Sequence, residues 1–162
     1  MRAVLISYDN VREVDLKTNS AGSAYAAIRS AVEGGFVEPF NALYGASITL
    51  YVNDNGIAEG QHPNRAVYAN ERMQEMRYLS MMAPTSFRAG DDGCVRKGDL
   101  YTVLFGPIVA VGYDPDTGAD RDLEPEELET VMRDFGDGAP MGPGSGLEAL
   151  LLRRLTDSLA SM

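Results

Sequence analysis

The sequence predicts an α+β protein, a mostly antiparallel sheet of about five or six strands packed against three or four helices. Three observations carry this reading. Short β-rich segments are separated by turn-forming clusters such as Asp9-Asn10 and Asn53-Asp54-Asn55-Gly56. Helical periodicity occurs in several places, but never in the strict alternation with strands that builds a parallel, doubly wound sheet. A chain of 162 residues, 44% hydrophobic and with one cysteine, suits a single core that needs no disulfide.

The elements follow in order. Residues 3–8 alternate and are β-rich, and a second strand over 11–16 pairs with them across Asp9-Asn10. Residues 23–33 predict a helix capped by Ser23: Ala24, Ala27, Ile28, Ala31 and Val32 recur at helical spacing, and Gly34-Gly35 stops it. Residues 36–40 predict a short strand, placed at an edge because Pro39 cannot donate to a ladder. Ser47 to Val52 is the clearest strand. After Pro63 a helical stretch is expected from Asn64, its cap, running with a break to Met82, with Val67, Met73, Met76, Leu79 and Met82 as its apolar stripe and the methionines as adaptable core filling. Residues 84–98 predict a loop. Leu100 to Tyr113 is a β-rich run bent at Gly106-Pro107. A turn over 114–118 leads to a helix opened by Glu124-Pro125-Glu126-Glu127, with Leu128, Val131, Met132 and Phe135 on its buried face. Residues 1–135 are thus one domain, 136–146 a Gly/Pro linker, and 147–162 a C-terminal amphipathic helix. That helix carries Leu147, Leu151, Leu155 and Leu159 as a stripe, which needs either a groove on its own domain or a partner. A homodimer is the expected answer.

The formal net charge is −10, and it is local. Between Asp114 and Asp137 stand ten acids and two bases, against 14 acids and 12 bases elsewhere. Such a stretch repels phosphate backbones, so direct nucleic-acid binding is not expected. No apolar run approaches a membrane span, and Met1 to Tyr8 lacks a signal-peptide pattern, so a cytoplasmic protein is expected.

Known catalytic and metal motifs fail on their residues. Asp114 to Pro125 departs from a calcium loop at Gly118, Ala119 and Pro125. The glycines at 142–146 lack the lysine and spacing of a phosphate loop. His62 is the only histidine and has no nucleophile pattern beside it, which leaves no histidine metal cluster. No catalytic residue, metal or cofactor is expected.

One ordered set of short motifs stands apart: Gly34-Gly35-Phe36-Val37-Glu38, then Leu50-Tyr51-Val52-Asn53-Asp54-Asn55-Gly56, then Pro63-Asn64-Arg65-Ala66, then Gly106-Pro107-Ile108-Val109-Ala110-Val111-Gly112. In order and spacing this resembles a small family designated domain of unknown function 3846, over about residues 20 to 135. The 84–98 stretch and the C-terminal helix have no counterpart in the resemblance. It implies a bacteriophage, actinobacterial or mobile-element setting, hence a bacterial host cell, and it implies no activity. The expected function is a non-enzymatic binder that blocks a host defence or regulatory protein, or sequesters a small nucleotide signal. An acidic DNA mimic and a metal-assisted hydrolase with unidentified carboxylates are the alternatives. The candidate binding residues are Gly34, Gly35, Glu38, Asn53, Gly56, Asn64 and Arg65. The glycines permit close approach, Glu38 and the asparagines offer hydrogen bonds, and Arg65 offers a cation for an anion. The competing reading makes the same residues turn and cap residues only.

Overall fold

In the computed structural model the described residues are 1–81 and 92–161. The first two strands, β1 (Arg2–Ile6) and β2 (Val11–Asp15), form the expected hairpin, closed by Ser7 N donating to Asn10 O at 2.9 Å. Helix α1 (Tyr25–Ala31), strands β3 (Val37–Phe40), β4 (Ile48–Asn53) and β5 (Pro63–Tyr68), and the short helix α2 (Glu71–Glu75) follow. Then come β6 (Leu100–Phe105), β7 (Ile108–Asp114), β8 (Ala119–Arg121), α3 (Pro125–Asp134) and α4 (Ser145–Ala160). Six strands form one wholly antiparallel sheet in the order β2-β1-β7-β4-β3, with β8 also on β7. The α+β class and the antiparallel sheet are as the sequence predicts.

Strands β5 and β6 form a separate two-stranded sheet, which the sequence reading does not anticipate. The chain leaves it for the main sheet at Gly106-Pro107, where Gly106 takes a φ of 76° that favours glycine. The bend expected there is thus a change of sheet. The layers follow from strand alternation. Ala24, Ile28 and Val32 of α1 pack with Ala3, Val109 and Val111 on one face of the main sheet. On the other face Val4, Ile6, Leu50, Ile108 and Ala110 meet Val67, Leu104, Met73 of α2, and Val131 and Phe135 of α3. The outer side of the small sheet, Ala66 and Val103, is covered by Ala149 and Leu150 of α4.

Three local expectations are corrected. The helix over 64–82 is mostly not a helix: 63–68 is strand β5, and α2 begins only at Glu71. Its cap is Asn70, whose Oδ1 accepts from Met73 N at 2.9 Å, not Asn64. Polar Asn70 sits where a continuous helix would pass; of the stripe's described methionines Met73 fills the core, while Met76 is exposed. Met82 and residues 84–91 of the expected loop lie outside the described residues. Ser23 stands one residue before the N-cap position, which is Ala24, its hydroxyl accepting from Tyr25 N at 3.2 Å. The left-handed residue that ends the helix is Glu33, with φ 59°, rather than Gly34.

Pro39 does lie in an edge strand. Asp54 N donates to Phe36 O, which sets the alternation so that Pro39 falls at a non-hydrogen-bonded pair with Tyr51. Its missing N–H therefore faces away from β4 and costs no ladder bond, while it blunts the sheet edge.

Residues 136–146, expected as a linker, run through turns closed by Ala139 N to Gly136 O, Gly142 N to Ala139 O and Ser145 N to Gly142 O. Gly142, Ser145 and Gly146 are buried. Ser145 Oγ accepts from Ala66 N at 3.0 Å, and a Cβ on Gly146 would press on the backbone of Asn64 and Arg65. Small residues thus lay α4 directly on β5. Gly146→Ala is predicted to overpack this seam at a cost of about 1–3 kcal/mol. Amide exchange across 147–159 should quicken in that variant; native protection there would contradict the seam.

Candidate functional site

The seven candidate residues do not converge on one site. Asn64 and Arg65 are inside the protein, 1% and 0% exposed. A register shift between Pro63 and Arg65 turns their side chains toward the other elements. Asn64 Nδ2 donates to Ile6 O at 2.9 Å and to Gly106 O at 2.8 Å, while its Oδ1 accepts from Arg65 Nη1. Arg65 Nη1 also donates to Tyr8 O at 3.2 Å, and Nη2 to Asn10 O at 3.3 Å and Phe135 O at 3.4 Å. Phe135 caps the C-terminus of α3, where a cation complements the helix dipole. Burial pushes the guanidinium pKa down, and Asp137 and Asp9 pull it back. The expectation that Arg65 offers its charge to an external anion is therefore corrected: its Nη groups are turned to backbone carbonyls, out of reach of solvent.

Asn53, Gly34 and Gly56 make a second structural cluster. Asn53 Oδ1 accepts from Asn55 N at 2.9 Å, forming the turn after β4, and Nδ2 donates to Glu59 at 2.7 Å. A Cβ on Gly34 would overlap the Asn53 carboxamide. Gln61, absent from the candidate set, explains two further glycines: its Nε2 donates to Val32 O at 2.9 Å, and a Cβ on Gly56 or Gly106 would overlap its side chain. Gly35 lies in an open hollow beside α1 with Gly34, Tyr25, Arg29 and Glu33.

Only Glu38 of the set is exposed, and it borders a groove of about 470 Å³ at the open edge between the two sheets. Phe40 of β3, Val52 of β4, and Thr102, Leu104 and Phe105 of β6 line it, with Asn53 and Gly56 at one end. Ile57 and Met81, 72% and 63% exposed, stand on its rim with Asp54. Among the described residues, the groove's lining includes two carboxylates, Glu38 and Asp54, and no lysine or arginine. The sequence held one signal for this groove, Ile57, a large apolar residue inside an otherwise polar turn. Phe40 and the β6 residues gave none, because core and groove residues alternate identically along a strand.

The acidic stretch is largely occupied. Asp114 accepts from Asp116 N, Asp120 from Tyr51 OH at 2.8 Å, Asp122 from Arg2 N, and Asp134 from Tyr44 OH at 2.8 Å. Glu124 and Glu127 form a capping box, and Glu127 pairs with Arg121 at 2.8 Å. The bond from Arg121 holds the Glu127 carboxyl below its ordinary pKa, whereas burial raises Asp120. Among the described residues no three His, Cys, Asp or Glu side chains gather as metal ligands. No helix among them is long and apolar enough to cross a membrane.

The leucine stripe faces away from the domain. Leu147, Leu151, Leu155 and Leu159 are each more than half exposed, because α4 packs on β5 by Gly146, Ala149 and Leu150 instead.

Two predictions follow from these contacts. Burial, then the adjacent carboxylates Asp134 and Asp120, raise the phenols of Tyr44 and Tyr51 above the ordinary tyrosine value. A raised folded-state pKa gives stability that is complete below about pH 10 and is lost as pH climbs past it. Unfolding free energy should therefore fall above about pH 10, and less steeply in Tyr44→Phe and Tyr51→Phe. Equal alkaline slopes in all three proteins would contradict this. Gly34→Ala and Asn53→Ala should each cost about 1–3 kcal/mol, with the double variant losing less than the sum because the shared contact is already gone. Urea melts measure both.

A family model described as "Domain of unknown function (DUF3846)" matches residues 1–136. The match takes in the β1–β2 hairpin and every motif residue just described, and it ends before α4. No curated protein and no solved structure matches the chain. With most of its length matched, the chain belongs to the DUF3846 family.

Proposed function

We propose that the protein acts by binding, without catalysis, and that the groove between the two sheets takes an apolar, basic segment of a partner protein. The observation that carries this is the groove's chemistry: apolar walls, the exposed apolar rim residues Ile57 and Met81, and the carboxylates of Glu38 and Asp54 with no cation among the described lining residues. A small nucleotide would meet two negative charges there, and Arg65, the cation once expected to hold it, is buried. That chemistry favours a protein over a nucleotide as the occupant.

The setting implied by the sequence resemblance is phage or mobile-element, so the partner is sought among host defence or regulatory proteins in the cytoplasm of a bacterial cell. The DNA-mimic reading is weaker. Six of the ten acids between Asp114 and Asp137 (Asp114, Asp120, Asp122, Glu124, Glu127 and Asp134) already hold turns, caps or hydroxyls of the protein itself. A metal-assisted hydrolase is less favoured, since among the described residues no three His, Cys, Asp or Glu side chains gather as metal ligands.

A photo-cross-linking residue at position 57 in host cells is predicted to give a discrete protein adduct. The same residue at position 25, beside the α1 hollow, should not. The adduct should weaken at least tenfold in Met81→Lys, which puts a repelling charge on the rim, and should weaken with added salt, as a basic partner requires. No adduct at 57, or equal adducts at both positions, would sink the proposal.

A further inference from the structure

We propose that α4 pairs with α4 of a second copy of the chain, antiparallel about a twofold axis near residue 153. The helix forms the outermost layer, its inner face spent on β5 through Gly146, Ala149 and Leu150. Its opposite face presents Leu147, Leu151, Leu152, Leu155 and Leu159, each 54–64% exposed. An apolar face this continuous on an ordered helix needs a cover.

What identifies the cover as a second copy is the order of residues along that face. A twofold axis makes residue i meet residue j while j meets i. Reversed about position 153, the helix places Leu147 level with Leu159 of the second copy and Leu151 level with Leu155. Every leucine of the every-fourth-residue stripe then meets a leucine. The polar residues in the face obey the same reversal. Glu148, at the same level as Ser158 of the second copy, can accept from its hydroxyl, and Arg154 lies four residues, about 6 Å of helix rise, from that carboxylate. Leu152 falls level with Arg154 of the second copy, whose methylene stem can cover it. The every-fourth-residue stripe is thus complementary to itself, whereas a parallel pairing would set Glu148 against Glu148 and Arg154 against Arg154. The inference is independent of the groove, because it uses none of the residues that line it.

The test is oligomeric state with directed cross-links, using the full chain in a Cys94→Ser background. Sedimentation across a concentration series should show a dimer. Leu151→Asp/Leu155→Asp should give a monomer with an unchanged circular dichroism spectrum, because both side chains are exposed in the single chain. Leu147→Cys/Leu159→Cys should form intermolecular disulfides under mild oxidation at least tenfold faster than either single variant. A chain that stays monomeric overturns the proposal, whether or not it takes up lipid vesicles or a foreign protein. So does a dimer that survives the aspartates, or a single-cysteine variant that cross-links as fast as the double.

Discussion

An arginine in the interior, bonded to carbonyl oxygens instead of a carboxylate, is the constraint on which this fold rests. Asn64 and Arg65 together bond the end of β1 at Ile6, the hairpin turn at Tyr8 and Asn10, the sheet-changing bend at Gly106, and the last turn of α3 at Phe135. These bonds tie the first hairpin, the bend between the sheets and the end of α3 to one buried pair of side chains. A guanidinium suits this because its donors fan out in one plane and its charge strengthens each bond. Its own desolvation is the opposing cost, eased by Asp9 and Asp137 nearby.

Once that clamp is set, the rest of the architecture follows. β5 is fixed by its own side chains, so the small sheet stands at a defined separation from β4 and β3, and the groove is the space left at their open edge. The backbone of Asn64 and Arg65 also forms the floor on which Gly146 sits. One dipeptide thus faces the core with its side chains and α4 with its main chain. Most motif residues accordingly hold the fold together, while Glu38 and Asp54 stand at the groove, which with the leucine face is the surface open to a partner.

Much of the fold was legible because its signals are local. The β1–β2 hairpin, the β4 strand, the edge position of Pro39 and the Pro125 helix start each depend on a few neighbouring residues. Strand β5 was not legible, since Met73, Met76 and Leu79 recur every third residue and extend a helical pattern back toward Val67, and the partner of β5 lies more than thirty residues away. The candidate site was legible as a set of special residues but not in its role. A glycine that admits an asparagine side chain, as Gly34 admits Asn53, looks the same in sequence as one that admits a ligand. Arg65 misled for the same reason: nothing in Pro63-Asn64-Arg65-Ala66 shows that its charge points inward.

The most direct measurement is the urea unfolding of Arg65→Lys. Lysine keeps the charge and the methylene stem but cannot fork to Tyr8, Asn10 and Phe135 at once. The variant is predicted to lose about 2–4 kcal/mol, with the amides of the β1–β2 turn and the end of α3 opening first. A variant that unfolds at the native urea concentration would contradict the account, since any buried cation would then serve.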